Sequence, residues 1–199
     1  MMLAMTGPRL LLTLSLAIAA MSVALAVATD EPREVIRWTA RSSFVLFALA
    51  YVARPATQLW PRAWSKRLLR ERKWIGDGFA VSHLAHLIAI IWLASRDWSA
   101  FFAAQSPTIL VATLMFVLLF AMAITSIDRV RKAMPRRAWL ALHRTGMHLA
   151  LIVFVSSYAG RLALGPVWLV PNAILVAIAA IRGAAWLRSR AAQRAAQPA

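Results

Sequence analysis

Between Ala138 and Tyr158 the chain reads AWLALHRTGMHLALIVFVSSY, an apolar run of bilayer-crossing length with two histidines inside it. A helix rising about 1.5 Å per residue needs about 20 such residues to cross some 30 Å of hydrocarbon. Such a run has to be helical, because no water is at hand to bond its backbone polar groups. A second run, Trp74 to Trp92 (WIGDGFAVSHLAHLIAIIW), also holds two histidines. His83, His86, His143 and His148 are all the histidines in the chain, and all lie in membrane-type sequence. An imidazole left unpaired in hydrocarbon costs several kcal/mol. Ionisable residues inside membrane spans therefore mark candidate functional sites.

The same reading finds six spans, at about 10–29, 38–53, 75–95, 108–127, 138–160 and 167–185. The expected fold is all-α, a single polytopic six-helix bundle over residues 1–199. The first span ends on Ala26-Val27-Ala28, which resembles a signal-peptide cleavage site. Its length and the charge pattern below favour a retained helix. Pro55 is expected to end or kink the second span. The basic stretch from Arg62 to Lys73 is expected as a loop with a surface-lying amphipathic piece, Gly165-Pro166 as a tight turn, and the tail from Arg188 as frayed.

The net charge of +16 does not point to nucleic acid, because the charges sit in short blocks between apolar spans. With six spans, seventeen of the 23 Lys and Arg fall on the side holding both termini, and five on the other. That bias places both termini in the cytoplasm of a bacterial-type inner membrane. The absence of cysteine excludes disulfides, thiolate metal sites and iron–sulfur clusters. No Gly-rich phosphate loop and no long polar stretch provides a flavin or nicotinamide domain. If the chain moves electrons, separate proteins supply and receive them.

Counted from Gly76 and Arg137 as the inner ends of their spans, His83 and His143 lie roughly 10 and 9 Å deep, His86 and His148 roughly 15 and 16 Å. Depth thus pairs His86 with His148 and His83 with His143. Haem iron takes imidazole axial ligands, and helix bundles hold cofactors between facing helices. Small residues, among them Gly76, Gly78, Ala80 and Gly146, leave room for a flat macrocycle. The pattern suggests haem b, one group with two allowed. Two alternatives stand beside it: histidines that only pack a cofactor-free structural or interaction subunit, and a non-haem metal site of several imidazoles. Arg144 and Arg41 are candidate partners of haem propionates.

Arg70-Glu71-Arg72-Lys73-Trp74-Ile75-Gly76 followed by His86-Leu87, with Trp139-Leu140-Ala141-Leu142-His143-Arg144 and Thr125-Ser126, resembles the ferric-reductase-like transmembrane family. That family includes the haem-binding membrane subunit of the periplasmic methionine sulfoxide reductase system. The resemblance implies electron transfer through haem, with His86 and His143 as ligands. It also implies a separate donor, a flavoprotein or a quinol, and a separate acceptor protein. Where the family carries a further ligand thirteen residues after the histidine of Leu-His-Arg, this chain has Ser156.

Overall fold

A computed structural model of the chain describes residues 13, 17, 18, 20–22, 24, 25, 28, 31–104 and 108–196. Those described between 13 and 28 are helical, and the remainder of the expected first span lies outside the described residues. The other elements are α1 (Pro32–Leu59), α2 (Ala63–Arg96), α3 (Trp98–Ala103), α4 (Thr108–Thr125), α5 (Asp128–Ala133), α6 (Arg136–Ala159) and α7 (Leu169–Ala195). No strand occurs among the described residues. By length and composition α1, α2, α6 and α7 can cross a membrane, the last two counted with their adjoining 3-10 turns, and α4 is a shorter apolar helix. The chain is an all-α, multi-pass membrane bundle.

α1 and α2 form the most extensive helix pair, α7 lies along α1, and α4 packs on α6. Aromatic rings fill the centre. Phe47 stacks on Tyr51 at 5.0 Å and meets Phe154 at 5.1 Å and Phe79 at 5.8 Å, and Phe44 meets Phe154 and Tyr158. Hydroxyl groups add polar ties: Ser43 Oγ donates to Ser82 Oγ at 2.7 Å, and Ser82 Oγ donates to Thr39 O at 3.2 Å. Bonds between small polar side chains are a common glue between membrane helices.

Three expectations are corrected. α1 does not end at Pro55 but runs through it to Leu59. Proline lacks the N–H that would bond the carbonyl four residues earlier, here that of Tyr51. Arg182 of α7 supplies the missing donor, Nη1 to Tyr51 O at 3.3 Å. The stretch from Ala63 to Lys73 is not a loop but the start of α2, a helix of 34 residues, about 51 Å long and well beyond the bilayer. It contains neither Gly nor Pro and is rich in good helix formers. Buried Ser65 closes its entry, with Oγ accepting from Arg62 N and bonded to Trp60 O. The tail is helical through Ala195, and Arg188 Nη1 donates to the last carbonyls of α1, Gln58 O at 3.2 Å and Leu59 O at 3.1 Å.

The short connections follow their residue types. Asp97 caps α3, its carboxylate accepting from Ala100 N at 2.9 Å and Ser99 Oγ at 2.8 Å. The Ala100 amide, then the Ser99 hydroxyl, hold this carboxyl below its usual range. The turn between α6 and α7 passes through Gly165 at φ +137°, a conformation that disfavours any side chain. Asn172 Nδ2 ties the turn down by donating to Tyr158 O at 3.0 Å and Trp168 O at 2.8 Å.

Candidate functional site

The bundle is hollow at the end that carries the basic stretches, called here the inner end. A cavity of about 700 Å³ opens between α1, α2, α4, α6 and α7. This lies inside the range of about 300–1,000 Å³ usual for cofactor and small-molecule sites. Phe79, Ala80, Leu119, Met122, Trp139 and Met147 form apolar walls. Arg54, Arg72, Lys73, Arg144 and Arg182 line it with positive charge, against which only Asp77 is acidic among the described residues. Such a site favours a ligand with an apolar body and anionic groups.

Two of the four histidines reach this cavity, and both come from α6. His143 lies under the indole of Trp139, ring centres 4.1 Å apart, and its Nε2 is 3.3 Å from Thr125 Oγ1. Trp139 is itself anchored, Nε1 donating to Thr125 O at 3.2 Å. His148 is exposed, facing the cavity, and its Nδ1 is 3.0 Å from the hydroxyl of Tyr51 on α1. That contact leaves Nε2 of His148 as the nitrogen available to a ligand.

His83 and His86 occupy the other half of the bundle. His86 Nδ1 lies 3.0 Å from Ile36 O and 3.0 Å from Thr39 Oγ1. A carbonyl only accepts, so this contact assigns the proton to Nδ1 and leaves Nε2 bare. His83 is buried among Phe79, Phe116, Phe154 and His86, with ring centres 4.7 to 6.2 Å away, and its Nδ1 has no hydrogen-bond partner among the described residues.

The expected pairings are not made. His86 touches Thr39 of α1 and His148 touches Tyr51, twelve residues and therefore about 18 Å apart along that helix. His143 lies a further five residues toward the inner end of α6, so the pairings of His86 with His143 and of His83 with His143 also fail. The error lay in treating Gly76 and Arg137 as level. Phe79, three residues on from Gly76, packs against Phe47 and Phe154 at the centre of the bundle. The same helix already runs through Ala63 to Lys73, so Gly76 does not mark its inner end.

The remaining candidates divide in the same way. Arg144 lines the cavity. Arg41 does not, and stacks on Trp38 4.8 Å away toward the opposite end of α1. Ser156 is exposed, with its hydroxyl bonded to Val153 O, so this position offers no ligand to the interior. Tyr51, Arg72 and Arg182 also line the cavity and were not among the site candidates. Tyr51 carried a signal: a phenol in membrane sequence, four residues before a proline that strips its carbonyl of a donor.

Residues 16–155 match a family model described as the ferric reductase like transmembrane component. The chain belongs to that family. Membership makes it a membrane component of electron-transfer systems. The ferric-reductase-like match spans α1 to most of α6 and stops short of α7, so Arg182 lies outside it. No curated protein and no solved structure matches the chain.

Proposed function

We propose that the chain is a b-type haem protein of the bacterial inner membrane, passing electrons from a cytoplasmic donor to an acceptor on the far side. The inner cavity carries this reading, because it joins imidazole, apolar walls and a surplus of arginine in one space large enough for a porphyrin. The donor set fits the group. His148 would hold the iron through Nε2, and His143, on the same helix five residues away, lines the same cavity. Arg144, Arg72 and Arg182 would neutralise the propionates, and the apolar side chains of Phe79, Met122 and Met147 would exclude water. Haem supplies a reversible one-electron step when bound.

No imidazole from α2 lines the cavity, which favours ligation by a single protein histidine. His83 and His86 are then the next groups outward, packed with Phe116 along the path to the acceptor. The donor is a flavoprotein or a quinol, and the acceptor a separate protein, in keeping with the family resemblance. The several-imidazole metal alternative lacks support, since no group of three or more metal-ligating side chains occurs among the described residues.

A reduced-minus-oxidised spectrum of the purified protein tests the proposal. A Soret band with dithionite-sensitive α and β bands is expected, lost in His148→Ala and retained in His86→Ala. Absence of any haem spectrum after reconstitution removes the proposal and leaves a cofactor-free membrane subunit. A low-spin spectrum lost only with His86→Ala moves the haem to the outer half.

A further inference from the structure

Tyr51 stands where four constraints meet. Its ring is buried, with 3% of its surface exposed, and stacks on Phe47. Its carbonyl, stripped of a helical donor by Pro55, accepts Arg182 Nη1. The same guanidinium lies 4.1 Å from the centre of the phenol ring, a cation–π contact. Backbone and ring are therefore held from α1 and from α7. The hydroxyl is left to reach across to α6, where His148 Nδ1 is 3.0 Å away.

His148 has no comparable anchor of its own. It faces open space, whereas His143 is covered by Trp139 and touched by Thr125. An imidazole offers two nitrogens, and the bond made by one decides what the other can do. We infer that Tyr51 is the positioning residue of His148, its phenolic oxygen holding Nδ1 so that Nε2 is turned into the cavity. This rests on the cavity being the haem site. With Nε2 bound to iron the ring's remaining proton is on Nδ1, so Tyr51 Oη then accepts the hydrogen bond. Arg182 and Pro55 act one step further back, by fixing the phenol that fixes the imidazole. The proline that interrupts α1 thereby contributes to the aim of a ligand on α6.

Tyr51→Phe isolates the effect. It keeps the ring, the stack on Phe47, the guanidinium contact and the backbone bond, and removes one oxygen. The haem-free protein in detergent is labelled with ¹⁵N-histidine, and wild type and variant are compared by imidazole ¹⁵N shifts, melting temperature and haem titration. The His148 signals are expected to move toward those of an unconstrained neutral ring while those of His143 stay in place. Haem affinity is expected to fall about 10- to 100-fold, the usual effect of losing a ligand's outer partner, with the melting temperature little changed. Unchanged His148 shifts overturn the inference whether or not haem binds. So does a shift of His148 and His143 together with a lower melting temperature, since that marks general loosening. Failure of the wild type to take up haem, with the His148 shift still dependent on Tyr51, removes the haem reading alone and leaves the positioning of Nε2 standing.

Discussion

The two halves of the bundle use histidine in opposite ways. In the outer half His86 is bonded through Nδ1 to α1, and His83 is pressed among three phenylalanines with hydroxyl-bearing residues nearby. In the inner half His143 and His148 border about 700 Å³ of space ringed by cationic side chains. Four residues of one type in similar sequence thus divide into a packed pair and a pair facing a cavity. The number of ionisable groups in a membrane segment does not locate a site. What sets the inner pair apart is room for a ligand beside the rings, with Tyr51 against Nδ1 of His148.

The strongest test of this contrast is to remove one histidine from each half. His148→Ala should lower haem affinity by more than the roughly 10- to 100-fold typical of losing an outer partner, while His86→Ala leaves it within about twofold. Equal losses would mean that the halves cooperate in one site. Next, the cavity can be filled. Gly76 lines it, and a Cβ added there meets nothing within 4 Å. Gly76→Phe should abolish haem uptake without lowering the melting temperature. A variant that still binds haem normally would show that the space is not the site.

The converse change belongs to the outer half. Ser82→Ala removes the acceptor of the Ser43 hydroxyl and a donor to Thr39 O. Stability should fall by about 0.5–2 kcal/mol, in the range for such interhelical bonds, with the haem spectrum unmoved. A changed spectrum would tie the hydroxyl cluster to the inner cavity. Least is expected of Gly146→Ala. The new methyl would sit 2.6 Å from Met122 Sδ, but that is the movable end of a flexible side chain. Its displacement is offset by a gain of up to about 1 kcal/mol in helix propensity, so unfolding measurements should show little net change. A large loss would show Met122 to be held rigidly against α6.

Hydropathy was enough to give the all-α membrane class, since a backbone in hydrocarbon has few alternatives to a helix. The helix ends were less legible. The segment from Ala63 to Lys73 is charged and was read as loop, yet nothing in it breaks a helix, and α2 continues outside the membrane. Pro55 was expected to end or kink the helix because its cost is local, while the compensating donor that lets the helix run on comes from Arg182. The four histidines were singled out as site candidates, but their levels were not legible, because level depends on how far each helix protrudes. His143 and Arg144, both candidates in the sequence, line the cavity; so does Tyr51, which was not a candidate because its partner stands 97 residues away.

The interrupted hydrogen bond in α1 also has a consequence in time. Tyr51 and Arg182 are separated by 131 residues. At the roughly 5–20 residues per second of synthesis, the carbonyl waits about 7–26 seconds for its donor to be made. Over that interval Arg182 cannot satisfy it, and water entering from the inner end can, so the nascent bundle should stay hydrated there until the last helix docks. When α7 arrives, one arginine meets the bare carbonyl and a second, Arg188, meets the end of the same helix six residues on along α7. Two fixed acceptors at that spacing define how far α7 slides before it locks. The proline thus acts as an alignment mark written early in translation and read at its end.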